Sequence, residues 1–547
     1  VLYPGSTYPG QTFSGDTVVI ANAGSQPATL ATNVTITTLT INASATVNTN
    51  GKNLTVSGVL TNNGTLSRFG SETISFGTMD TAQGTIEYTG NADGTVDVIA
   101  IQDFGASDYY NLKINDVNAT KDNFTAAAGL VLVGTFTLAS GTFTAPASIL
   151  DTAFTVAGDF VRTGGTFVPN TGRVNLNGTN QTISGDTTFY QLKKAVTAAD
   201  TLTFGVGSTQ TISNSLILTG AAAQLLNLRS STSGTYANLT LQAGGTQNVS
   251  YVDVQDNDAG GGLKLIARNS TTLTHTNNWG LSASVTWTGT TSTDWNVATN
   301  WDLGLVPITG DAVVIANAGS QPATLTVNVS SLTSVTINSG ATLSLSGFNF
   351  SVTGALTNNG TLTRFGSETL SLGTMDTTNG TMEYTGNGDG TVDTITVQDF
   401  GATDYYNLRI NDTNVTKDIF APAVGLVLTG SFTLASGTFT APASTAATAF
   451  VVGGSWTHSG GTFTHSSGMV TFNVSTTAVF AGDTIFYDLT CAIPGKILQF
   501  TATTTQTIAH TLAITGGTGN RIVLESTSSG SKWSIDVPNS TQFITLV

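Results

Sequence analysis

Two short acidic loops carry the side chains best suited to chemistry in this chain: "NADGTVD" (Asn91–Asp97) and "NGDGTVD" (Asn387–Asp393). Asn91, Asp93 and Asp97 offer side-chain oxygens and Gly94 a tight turn, which are the ingredients of a calcium loop without its distal glutamate. Asn387, Asp389 and Asp393 repeat the set. The plainer expectation for the same residues is an Asn/Asp-Gly turn. A third acidic stretch, "DVQDNDAGGG" (Asp253–Gly262), invites the same two expectations. Calcium is the one cofactor the sequence brings into consideration.

Other constellations point less far. Asp97, Asp103 and Asp108, with Arg68 or Lys121, are the best set for a polysaccharide lyase or hydrolase, and a hydrolase needs two carboxylates about 5–10 Å apart in a cleft. The whole stretch recurs with everything around it, so it carries no special weight and the chain is not read as an enzyme. His275, His458, His465 and His510 have no counterparts between the repeats. A zinc site would need further soft ligands, and Cys491 is the single cysteine. It also rules out an intrachain disulfide. Trp279, Trp287, Trp295 and Trp301 cluster in one stretch. Exposed, they would stack on sugar rings; buried, they would cap the open edge of a β-helix, which is the expectation adopted. Asn-x-Ser/Thr sequons are abundant, among them Asn33, Asn63, Asn118, Asn238, Asn359 and Asn414.

The elements that must position these residues are written twice. "GDTVVIANAGSQPATL" from Gly15 returns as "GDAVVIANAGSQPATL" from Gly310, and "FGASDYYNL" from Phe104 as "FGATDYYNL" from Phe400. Such a period is the signature of a modular array. The first half of each copy is nearly identical, so shared residues there say little about need. In the second half Phe, Gly, Val and Thr survive at alternating places while charges and histidines drift, the behaviour of a scaffold. A smaller echo lies within, "YYNL" (Tyr109–Leu112) against "FYQL" (Phe189–Leu192). The expected organisation is an arm over 1–14, a repeat unit over 15–250, an acidic loop and Trp-rich junction over 251–309, and a second unit over 310–547.

Runs such as "NVTITTLTI" (Asn33–Ile41) and "SVTINSGATLSLSG" (Ser334–Gly347) alternate apolar and polar residues and close on Gly or Asn, which predicts strands and turns. The chain is read as all-β. Hydrophobic triplets recur nearer 15–25 residues than the roughly 8–12 of a tandem β-sandwich, so a right-handed parallel β-helix is favoured over tandem sandwiches. Only 9% of residues are charged, against roughly 25% in an average soluble domain. That also suits a solenoid, in which like charges would stack about 4.8 Å apart. A hydrophobic fraction of 39% excludes ordinary disorder. The net charge of −16 argues against nucleic acid, and no apolar run approaches a membrane span. A surface of Thr, Ser, Asn and Gly suits a secreted or cell-surface protein. The N-terminus lacks a charged and then apolar leader, so any signal peptide is expected to have been removed.

With "GTIEYTG" (Gly84–Gly90), "YYNL", "LASGTFTAPAS" (Leu138–Ser148) and the Trp-rich opening "WTGTTSTDWNVATNWDLGLVPITGDAVVI" (Trp287–Ile315), the chain resembles bacterial β-helical surface proteins of the adhesin type, similar to filamentous-haemagglutinin-like passenger repeats. The resemblance implies a β-helix at the cell surface and carries no catalytic residues. Copy one opens without a Trp segment, and copy two closes on "NSTQFITLV" without one after it. Two expectations follow: a piece of a longer array, or neighbouring subunits that complete one another. The second is preferred, giving head-to-tail assembly into a surface filament in which "VLYPGSTYPG" pairs with an open coil edge. A stalk-like adhesin that binds carbohydrate or another cell, and a lyase or hydrolase, are the alternatives.

Overall fold

The computed structural model describes residues 15–21, 26–91, 93–316, 321–538 and 540–547. The expected N-terminal arm and its strand pairing lie outside these. The chain divides into two compact units, Val1–Ser282 and Ala283–Val547. Both are β-solenoids, together of about 22 turns.

Thr-x-Thr and similar alternations make the strands. In Thr85–Tyr88 and Asn111–Asn115 every second side chain is buried and those between face outward. The described strands pair in parallel, each with its equivalent one coil later, which excludes the antiparallel sheets of a sandwich. Three sheets run side by side through the middle of the first unit. One carries Asn111–Asn115, Phe136–Ser140 and Phe160–Arg162. The next carries Asn123–Thr125, Thr142–Thr144 and Thr166–Val168. The third carries Leu130–Leu132, Phe154–Val156 and Arg173–Leu176.

Register stacks like on like inside. Val47, Leu66, Ile86, Leu112, Phe136, Phe160, Ile183 and Phe204 form one unbroken buried column. Its partner in the second unit is Leu343, Leu362, Met382, Leu408, Phe432, Trp456, Phe480 and Phe500. Aromatic rings fill the middle coils, with Phe136 and Phe160 at 5.0 Å and Phe432 and Trp456 at 4.6 Å between centroids. Each fully buried side chain of this size is worth on the order of 1.5–3 kcal/mol.

The boundary between the units falls inside the stretch expected as a junction. Leu265–Arg268, Thr272–Asn277 and Trp279–Gly280 pair back onto first-unit strands. Ser284–Trp287 pairs forward onto Ala312–Ile315. The acidic loop therefore closes the first unit and the Trp-rich segment opens the second.

Candidate functional site

The Asn91–Asp97 loop folds on its own side chains. Asn91 Nδ2 donates to Asp93 Oδ2 at 3.0 Å and to Asp97 Oδ2 at 2.5 Å. Thr95 donates to Asp93 through its hydroxyl and main chain at 2.7 and 2.8 Å, which holds the Asp93 carboxyl below its usual range. Asn387, Asp389, Thr391 and Asp393 repeat the arrangement. The structure thus brings all three predicted ligands of each loop together, with an amide nitrogen between the two carboxylates. In the third acidic stretch, Asp258 accepts from Gly260 and Asn277, and Asp256 from Gly234 and His275.

Of the carboxylates considered for hydrolysis, Asp103 and Asp108 lie close enough to interact, while Asp97 bonds Asn91. Asp108 is buried and accepts the main-chain N–H of Phe104 and Val131 at 2.8 and 2.7 Å. Burial pushes its pKa up, and the nearby charge of Asp103 adds to this. Arg68 lies inside the solenoid, its guanidinium 2.8 Å from Gln102 Oε1 and from Glu72 O and 4.9 Å from the Tyr88 ring. Tyr88 and Tyr109 share a 3.0 Å hydroxyl contact, and burial raises the Tyr109 pKa well above normal. This is an interior polar plug, repeated by Arg364, Tyr384 and Tyr405. Lys121 donates to Asp116 O.

The four tryptophans are buried, so none presents a ring face to a sugar. Trp279 ends the first unit, its Nε1–H on Asn257 Oδ1 at 3.0 Å. The other three fill the first coil of the second unit: Trp287 and Trp295 lie 5.1 and 4.7 Å from Trp301, edge to face. Trp301 Nε1 donates to Trp295 O, and buried Asn300 accepts the N–H groups of Thr291 and Ser292. That coil pairs on the next through Trp295 N to Thr324 O.

The histidines remain apart from one another's chemistry. His275 and His510 each bond a buried aspartate, Asp256 and Asp488, and stack on Tyr236 and Tyr487. His458 bonds Thr484, and His465 accepts from Ser467 N. Cys491 is buried and reduced, and burial raises its pKa.

Two groups of residues escaped sequence reasoning. Asp116, Asn118 and Asp122, in "DVNATKD", are buried against Gly90; the signal was the carboxylate spacing repeated in "DTNVTKD" (Asp412–Asp418). Asn118 is only 7% exposed, so this sequon is no glycan acceptor in the folded chain. The second group is the interior pair Lys194 and Asp200, at 2.7 Å. Lys496 stands at the place of Asp200 in the second unit, and donates to Gly453, Val474 and Thr476 carbonyls.

Among the described residues no three or more His, Cys, Asp or Glu side chains gather as a metal site, and no helix is long and apolar enough to cross a membrane. A family described as a domain of unknown function (DUF8693) matches residues 286–388, from the Trp-rich coil through the first coils of the second unit. No curated protein and no solved structure shows significant similarity to the chain.

Proposed function

We propose that this is a secreted structural protein, the subunit of a surface filament whose copies associate head to tail. The observation that carries the reading is the stack of parallel coils in each unit, whose strands pair in register with their equivalents one coil on over unbroken buried columns. A parallel coil is a template for the addition of a further coil. A second copy supplies parallel coils of matching register, and a contact between two different surfaces propagates without closing. A neutral polar exterior and buried columns give such a subunit its stiffness.

Light scattering across a concentration series, with negative-stain images, tests this. The full chain is expected to grow into filaments as concentration rises. A chain that is monomeric throughout would sink the proposal. A monomer retained on carbohydrate or cells would favour the adhesin reading. Ultraviolet-absorbing products from an acidic polysaccharide would favour the lyase.

A further inference from the structure

Asp116, Asn118 and Asp122 close on one glycine. A β-carbon on Gly90 would stand 2.3 Å from Asn118 Nδ2, 2.6 Å from Asp122 Oδ2 and 2.8 Å from Asp116 Oδ1. Only glycine, here at φ +73°, admits all three at once. Both carboxylates are buried. Asp116 accepts the N–H of Asn118 and Asp122, and Asp122 Oδ1 accepts the N–H of Asp97. That leaves Asp122 Oδ2 with the Asn118 amide alone, at 3.3 Å. The Asn118 carbonyl oxygen is buried and has no hydrogen-bond partner. Lys121 does not neutralise the pair, since its ammonium donates to the main-chain oxygen of Asp116. Two buried carboxylates thus converge beside an amide whose oxygen is turned from them and orphaned, and a buried polar atom without a partner is costly.

We propose that Asp116, Asn118 and Asp122 bind a divalent hard cation, calcium. A half-turn of the Asn118 amide exchanges its nitrogen and oxygen and presents the orphaned carbonyl to the ion. Calcium accepts carboxylate and amide oxygens at about 2.4 Å, so neighbouring ligands at right angles lie about 3.4 Å apart. The 3.3 Å between Asn118 and Asp122 suits that edge. Magnesium, at about 2.1 Å, would need an edge near 3.0 Å. Water completes the shell. The second unit repeats the approach, with a β-carbon on Gly386 2.4 Å from Asn414 Nδ2, 2.7 Å from Asp418 Oδ2 and 2.8 Å from Asp412 Oδ1, although there Asp418 Oδ2 also accepts the Asn387 N–H at 3.3 Å and Asn414 donates to Thr385 O. The ion lies beneath the Asn91–Asp97 loop, and through Asp122 and the Asp97 N–H it ties that loop to the coil.

Equilibrium dialysis of the EDTA-stripped full chain against about 1 mM calcium chloride, an affinity range usual for extracellular modules, tests the site. Two calcium ions per chain are expected, one per unit. Asp122→Asn should leave one, and Asp122→Asn with Asp418→Asn none, while Asp93→Asn with Asp389→Asn retains two. Asn118→Ala with Asn414→Ala keeps the carboxylates and should weaken calcium at least tenfold by titration calorimetry. No calcium on the unsubstituted chain, two on the Asp122/Asp418 variant, loss on the Asp93/Asp389 variant, or unchanged affinity on the Asn118/Asn414 variant would overturn the assignment.

Discussion

Replacing Asp200 by asparagine removes a charge from the interior while keeping the side chain's outline. Lys194 and Asp200 are 0% and 3% exposed and lie 2.7 Å apart. Asp200 Oδ1 accepts the main-chain N–H of Asn180 and Thr201, and an amide oxygen can still do so. Lys194 keeps Gly178 O and Gln181 Oε1 at 2.8 Å. What disappears is the countercharge, and breaking one side of a buried pair costs about 3–5 kcal/mol. The lysine has an escape, which is to lose its proton. Deprotonation from a pKa of about 10.4 at pH 7 costs about 4.6 kcal/mol, which sets a ceiling. Burial already draws the Lys194 pKa down, against the pull of Asp200, so the expected loss sits near 3 kcal/mol. At pH 9 the ceiling falls to about 1.9 kcal/mol. Hydrogen exchange by mass spectrometry over Asp200–Phe204, variant against parent at each pH, reads this locally. The variant should exchange about a hundredfold faster at pH 7 and clearly less so at pH 9. A change under about fivefold at pH 7, or one undiminished at pH 9, would refute the reasoning.

Two further outcomes follow from the same columns and surfaces. Trp456→Phe gives the second unit the residue that the first has at Phe160, but vacates indole volume and drops the 3.0 Å bond to Thr484 Oγ1. It should cost about 1–3 kcal/mol, seen as faster exchange over Trp456–His458 with Phe160–Arg162 unchanged. Asp256 is held below the usual carboxylate range, first by the Gly234 N–H and then by His275. A lowered folded pKa gives stability that is present above about pH 4 and lost as pH falls through the folded value. Thermal melts from about pH 6 to pH 2 should therefore decline less steeply for Asp256→Asn than for the parent.

Period-two alternation and the roughly twenty-residue recurrence made the β-solenoid legible, because a parallel coil must place one inward triplet per turn. The burial of Trp287, Trp295 and Trp301 was foreshadowed by their crowding beside the start of the second copy. The interior charges were not. Asp200 and Lys496 occupy one position with opposite sign, which in sequence reads as surface drift. Their burial depends on what surrounds them, the Asn180 and Thr201 N–H groups and the Lys194 ammonium at Asp200, and the carbonyls of Val474 and Thr476 at Lys496. Asp116 and Asp122 were hidden for the same reason. The carboxylate spacing repeats in the second copy, but residue type does not say that this loop folds beneath another against Gly90.

The coils differ in circumference while their inner columns do not. Thr65 pairs with Thr85 and Thr85 with Asn111, twenty and then twenty-six positions on, and the register across both steps is unbroken. The extra residues, Asn91–Asp97 among them, are looped out at a corner. Such a corner can accept foreign sequence without altering what lies within, as loop length adds little closure entropy. New surface specificities could therefore be acquired, or grafted by an engineer, one corner at a time on an inherited frame.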